Sequence, residues 1–223
     1  MSEVNIFLPV RNEEIDLAQT IQSIKKVTSD KIIVVDNAST DKSFQIAKAQ
    51  NVEVWNEKNI GKANVIKKIL KDCNSDIVFM MDADSTYDVS SYNTHKDLMI
   101  AKNLDMIVGK RKYDKEFLKR KDRKLANKLF NFIFMIFIGG NFTDICSGYR
   151  FLKKDSFNKL EIKSKNFEIE TEISVYSVFN KLKTLEVDID YKERINSQSK
   201  LKTFSDSLLI FWFFLKKSVN RKN

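Results

Sequence analysis

The run Ile77-Val78-Phe79-Met80-Met81-Asp82-Ala83-Asp84 constrains this chain more than any other stretch. A short apolar run of this kind reads as a strand buried on both faces, and it ends in two carboxylates one residue apart. A buried strand cannot carry charge cheaply, so Asp82 and Asp84 belong where it emerges. In open α/β sheets that place is the crevice at the carboxyl ends of the strands, where ligands bind. Two hard oxygen ligands there suit Mg²⁺ or Mn²⁺, held by a few carboxylates together with substrate phosphates. Read alone, Asp-x-Asp is also what a plain strand-ending turn looks like.

The flanking pattern supports the sheet. Strands are expected at Val4–Leu8, Lys31–Asp36, Val52–Trp55, Ile77–Asp82 and Asp105–Gly109. Helical spacing falls between them at Ile15–Lys26, about 41–50, Gly61–Lys71 and Ser91–Asn103. Ile15, Ala18, Ile21 and Ile24 are expected to face inward, and Ser39-Thr40-Asp41 to cap the second helix. Such alternation implies βαβ units, right-handed crossovers and a mostly parallel sheet flanked by helices, an α/β fold. Further on, Ser147–Leu152 and Thr184–Tyr191 read as strands and Phe167–Leu182 as a helix.

Charge is uneven along the chain, whose formal net charge is +9. Between Lys110 and Lys124 nine Lys/Arg (110, 111, 112, 115, 119, 120, 121, 123, 124) face three acids (114, 116, 122), a surplus of six. A basic run points to an anionic partner or to a solvated helix face. It leads into Leu125–Ile138, apolar almost all round but too short to span a bilayer, which takes about 20 residues. That segment suits a core helix or one lying in the headgroup layer. The tail, 207–223, contains Leu208–Leu215 with Trp212, followed by lysines, and is expected to pack or to dock on a membrane surface. Nucleic acid is not the expected partner, because no binding motif is present and the aromatics cluster in apolar runs. Cys73 and Cys146 form no metal-binding pattern and read as reduced thiols of a cytoplasmic protein. His95, the only histidine, reads as a surface residue. No secretory leader is expected ahead of Val4–Leu8.

Four strand ends converge if the sheet is parallel, delivering residues 9–14, 36–41, 59–62 and 82–84. Neither GxGxxG nor GxxxxGK[ST] occurs, which excludes the usual dinucleotide fingerprint and a P-loop. The pieces PVRNEE (9–14), VVDNASTD (34–41), NIGKA (59–63), MDADSTYD (81–88), VGKRK (108–112), TDICSGYRFLKK (143–154), FEIETEI (167–173) and YKERINSQSKLKTFSD (191–206) follow one another in order. Together they resemble the family 2 glycosyltransferases of the GT-A fold, in particular the dolichol-phosphate mannose and glucose synthase-like group, over residues 1–206.

The resemblance implies a metal-dependent, inverting transfer of a hexose from a nucleotide-sugar, of GDP-mannose or UDP-glucose type, to a polyprenyl phosphate at the cytoplasmic face of a membrane. A cell-surface glycan is the alternative acceptor. It implies that Pro9, Arg11, Glu13 and Asp36 line base and ribose, with Lys62 beside them. Asp82 faces ribose or sugar, Asp84 is the principal metal ligand, and both are candidate ligands. Arg111 and Arg123 match positions that meet the acceptor phosphate; Arg194 and Lys200 match an Arg and a Lys on the donor diphosphate. Asp144 is expected to hold the Ser147–Arg150 turn and the basic residues around it, or to act as a base if the acceptor is a hydroxyl. Glu168 and Glu170 fall at family positions on the site floor. This chain departs from the family at Arg11, where an aromatic is usual, at Asp36-Asn37-Ala38-Ser39, and at Thr86, where some relatives carry a metal-binding Gln.

Overall fold

The computed structural model describes residues 2–113, 129, 131–136, 138–140, 142–164 and 169–192. Arg123, Glu168, Arg194, Lys200 and the tail 207–223 lie outside the described residues.

Among the described residues seven strands form one sheet: β1 (Val4–Val10), β2 (Lys31–Asp36), β3 (Glu53–Asn56), β4 (Ile77–Met80), β5 (Met106–Tyr113), β6 (Arg150–Lys153) and β7 (Thr184–Tyr191), in spatial order β3-β2-β1-β4-β6-β5-β7. Pairing is parallel from β3 through β4 and between β5 and β7, whereas β6 runs antiparallel to both its neighbours. Six strands therefore present their carboxyl ends on one edge. The reversed β6 presents its start there, so the Ser147–Arg150 segment reaches the same edge. The helices among the described residues are α1 (Leu17–Val27), α2 (Ser43–Ala49), α3 (Lys62–Asp72), α4 (Tyr92–Ala101), α5 (131–136), α6 (Lys154–Phe157) and α7 (Ile169–Phe179).

The β-branched and aromatic strand residues supply two cores. One gathers Phe7, Ile33, Val78 and Met106 with Ile66 of α3 and Ile173 of α7; the other gathers Ile6, Leu8, Phe79 and Phe151 with Ile21 of α1 and Tyr92 of α4. Adjacent residues of one strand alternate between the cores, which is why the strands read as unbroken apolar runs. Pro9 sits in a central strand at no cost in hydrogen bonding. β4 pairs only Val4–Phe7 of β1, so no neighbour on that side needs a donor from Pro9.

Several expectations need correction. β4 stops at Met80, because Met81 and Asp82 leave the ladder. Ile15 precedes α1 and is 56 % exposed; the inward face starts at Leu17 and continues through Thr20, Ile21 and Ile24. α2 starts at Ser43, later than expected, and Asp41 Oδ1 accepts the Ser43 N–H and hydroxyl (2.9 and 2.6 Å). β5 continues four residues past Gly109, so Lys110, Arg111 and Lys112 lie on a strand paired with β7. β6 begins at Arg150, after Ser147–Tyr149 have passed outside the ladder. His95 is buried, with Nδ1 2.9 Å from the Tyr149 hydroxyl; its ring packs edge-on to that of Tyr149, and burial lowers its pKa.

The apolar segment before β6 is two-faced. Phe134 and Ile138 are fully buried, and Phe134 meets Phe142 edge-on at 5.6 Å. Leu129, Phe132, Met135 and Ile136 are exposed. Among the described residues no helix is long and apolar enough to cross a membrane.

Candidate functional site

The carboxyl edge brings the expected strand ends together. Asn37, following β2, ties three of them: its amide donates to Glu57 O (3.0 Å) and Asn59 O (2.8 Å), its Oδ1 accepts from Gly61 N (2.7 Å), and its N–H donates to Val10 O (2.7 Å). Asn12 Oδ1 accepts from Thr40 N (2.8 Å), and Ser39 and Ser43 hydroxyls accept the N–H groups of Asn12 (3.1 Å) and Glu13 (2.8 Å). These bonds hold Arg11 and Glu13 against the end of β2. Asp36 is buried there; its Oδ2 accepts from Ser39 N (3.3 Å), while Oδ1 has no hydrogen-bond partner among the described residues. A buried carboxylate oxygen left unmatched is costly, so this atom fits a donor arriving on a ligand.

Lys62, the first residue of α3, bridges two carboxylates. Its ammonium stands 2.6 Å from Asp82 Oδ1 and pairs with Glu170 Oε1 of α7. Burial alone lowers an ammonium pKa, but Asp82 and Glu170 outweigh it and hold Lys62 above its ordinary value. Pro9, Met80, Gly148 and Arg150 line the same small cavity as Lys62 and Glu170. Arg150 is fully buried and donates to Ser147 O (2.9 Å), Ile145 O (2.7 Å) and Ser174 Oγ (3.0 Å), fastening the turn before β6 to α7.

Asp84 is partly exposed beyond Asp82, its Oδ1 accepting the Thr86 hydroxyl (2.6 Å) and N–H (3.3 Å). The turn is tight: Ser85 adopts φ 58°, with its hydroxyl on Asp16 O and 2.9 Å from Thr20 Oγ1. Among the described residues no group of three or more His, Cys, Asp or Glu could hold a metal ion. A carboxylate pair such as Asp82 and Asp84 would leave the remaining positions around a Mg²⁺- or Mn²⁺-type cation to substrate phosphate oxygens and water.

Arg111 lies on β5. Asp144, nearly fully buried, takes its Nε and Nη2 at 2.7 Å each and its backbone N–H at 3.1 Å. The guanidinium carbon lies 5.3 Å from the centre of the Tyr191 ring, which meets Tyr87 edge-on. Burial raises the pKa of Tyr191, with Arg111 lowering it and Asp84 raising it further. Cys73 and Cys146 are free thiols; burial pushes that of Cys146 up to about 12, which keeps it protonated.

The structure therefore gathers Pro9, Arg11, Glu13, Asp36, Lys62, Asp82 and Asp84 on one edge, with Arg111 and Asp144 beside them. Gly148, Thr86 as a partner of Asp84, and Tyr191 do not stand out in the sequence as parts of the site. For Thr86 the Asp-x-Thr spacing was a usable signal, since a hydroxyl two residues on can bond back to the carboxylate.

The sequence profile described as glycosyl transferase family 2 matches residues 5–161. The glycosyltransferase AglJ of Haloferax volcanii is 28% identical over 93% of this chain and 69% of its own length. A UDP-N-acetylglucosamine–dolichyl-phosphate N-acetylglucosaminyltransferase of Methanococcus voltae is 26% identical over 83% of this chain and 84% of its own. Among solved structures, glucosyl-3-phosphoglycerate synthase from Mycobacterium tuberculosis superposes with a TM-score of 0.78 at 17% identity, covering 97% of this chain and 80% of that one. The same enzyme has been solved with Mn²⁺, UDP and glucosyl-3-phosphoglycerate. The architecture is that of the GT-A glycosyltransferases.

Proposed function

The chain belongs to glycosyl transferase family 2, and we propose that it moves a hexose from a nucleotide-sugar to a polyprenyl phosphate, with inversion at the sugar carbon and with a divalent cation. One observation carries the choice of acceptor. The turn that grips Arg111, a phosphate-binding type of side chain, is also bonded to Asn131 of α5, the helix that exposes Phe132, Met135 and Ile136. A cation for a phosphate and an uncovered apolar face for a lipid chain or membrane surface are joined through a single turn. The name of the Methanococcus relative points the same way.

In this reading Asp36 Oδ1 receives a donor of the base or ribose, and Pro9, Arg11 and Glu13 shape the wall around it. Asp82 and Asp84 would hold Mg²⁺ or Mn²⁺, which would supply charge neutralisation for the leaving diphosphate. Lys62 fixes Asp82 and keeps a positive charge under the donor. Arg111, backed by Asp144, orients the acceptor phosphate. That phosphate is already ionised near neutral pH, so the chain needs no strong general base and Asp144 serves by holding Arg111. Arg194, Lys200 and Arg123 carry the remaining phosphate contacts that the resemblance implies, and the tail 207–223 adds to membrane contact.

The test begins with thermal shifts for UDP, GDP, CDP and dTDP, each with and without Mn²⁺, followed by radiolabelled transfer from the matching nucleotide-sugar. Transfer to a polyprenyl phosphate in detergent supports the proposal. Transfer to a soluble glycan, with none to the lipid phosphate, overturns it. Binding to anionic vesicles that survives Phe132→Ser with Ile136→Ser removes the role given to α5.

A further inference from the structure

The Thr143–Asp144 turn belongs to no helix or strand, so no regular ladder holds it. Two side chains from separate elements do. Glu186 on β7, opposite Val108 of β5, accepts the N–H of Thr143 at 2.8 and 3.0 Å, the Thr143 hydroxyl at 2.8 Å and the Asp144 N–H at 3.0 Å. Asn131 on α5 closes the other side, donating to Thr143 O and accepting from Ile145 N at 3.1 Å. Asp144, so placed, takes the Arg111 fork through two parallel bonds and its backbone through a third.

We propose that Glu186 is a positioning residue for the acceptor: it fixes the Thr143–Asp144 turn and thereby sets the direction in which the Arg111 guanidinium meets the acceptor phosphate. The inference rests on reading Arg111 as the acceptor-phosphate contact. Guanidinium recognition of phosphate is angular, because the donors form a rigid planar fork. A carboxylate suits position 186 because it only accepts, and it receives three hydrogens from two N–H groups and one hydroxyl. A glutamine there must turn its own NH₂ toward one of those donors or withdraw from it. The turn then shifts, and Asp144 and Arg111 shift with it.

Glu186→Gln, Thr143→Val, Arg111→Lys and the double variant E186Q/R111K are compared on the full chain, with a short-chain polyprenyl phosphate as acceptor. Glu186→Gln is expected to raise the acceptor KM about tenfold, less than the roughly 100-fold that a 1 Å misplacement can cost, with kcat and donor KM unchanged. Thr143→Val, which loses only the hydroxyl bond and is the milder change should Glu186→Gln fold poorly, is expected to move the acceptor KM less, in the same direction. The double variant should be no worse than Arg111→Lys alone, since Glu186 acts through Arg111. Effects that multiply in full, or a donor KM that rises alongside the acceptor KM, overturn the inference.

A readout without turnover separates the two layers. The Nε–H NMR signal of Arg111, identified by its loss in Arg111→Lys, should shift or broaden in Glu186→Gln. An unmoved signal refutes the positioning role even if Arg111 does bind the acceptor. A moved signal with an acceptor KM that Arg111→Lys leaves unchanged shows instead that the reading of Arg111 has failed.

Discussion

A β-carbon on Gly148 would stand 2.6 Å from Asp82 Oδ2 and 3.0 Å from its Cγ and Oδ1. The turn before β6 thus packs its backbone directly against the acid that ends the β4 segment. Asp82 cannot swing aside freely, because Lys62 holds its other oxygen. Gly148→Ala is expected to push the Asp82 carboxylate off Lys62 while leaving both cores untouched. Isothermal titration should show metal–nucleotide binding weakened about tenfold or more, with a Tm within a few degrees of the parent.

Lys62 faces two carboxylates, one of them nearly fully buried. Removing a buried partner costs about 3–5 kcal/mol, because it leaves charge uncompensated; the lower end applies here, since a third of the Asp82 side chain reaches solvent. Lys62→Met should therefore lower the denaturation midpoint clearly, and Glu170→Leu added to it should recover much of the loss. Urea unfolding of the single and double variants checks both statements; a double variant weaker than Lys62→Met refutes the compensation.

Thr86 is buried and bonds to Asp84 Oδ1. Groups that orient a metal ligand typically matter about 10–100-fold in metal affinity. Thr86→Val, nearly the same shape, should weaken Mn²⁺ activation by that order with little change in Tm, whereas Asp84→Ala should abolish metal-dependent turnover in a folded protein. Equal Mn²⁺ titration curves for Thr86→Val and the parent would sink the assignment.

His95 ties folding to pH. Burial holds its pKa below the ordinary 6.5, so in the unfolded chain it gains its proton at higher pH than in the folded one. Its contribution to stability is intact above about pH 6.5 and is lost as pH falls from there toward the folded pKa. Between pH 7 and pH 5 the Tm of the parent should fall more steeply than that of His95→Gln, which can still bond the Tyr149 hydroxyl. Identical slopes would remove His95 from the account.

The apolar runs at Val4–Leu8, Lys31–Asp36 and Ile77–Met80 made the parallel half of the sheet legible, because a strand buried on both faces needs no tertiary information to be seen. Asp82 and Asp84 follow that same logic, since charge at the end of a buried strand has one place to go; Lys62 follows the half-exposed β3 and came to the same edge only through the expected parallel order of the strands. What stayed hidden depends on partners far apart in sequence. His95 is buried because Tyr149 offers a hydroxyl 54 residues on. Lys110–Lys112 look like a solvated run until β7 pairs with them. The apolar residues 129–138 gave no division between inward and outward positions, since nearly every residue there is hydrophobic; only packing against Phe142 and α7 separates Phe134 from Phe132.

The reversed strand β6 also governs the order in which the molecule can be completed. On emergence from a ribosome, β1 to β4 can pair as soon as residue 80 is free, but the outer edge of β4 waits for residues 150–153. Through that interval the unpaired backbone groups of an apolar strand are available to any other strand that comes near. Chains halted before residue 150 should therefore be the aggregating species during synthesis, and a chaperone that shields strand edges would do most for this protein in that interval.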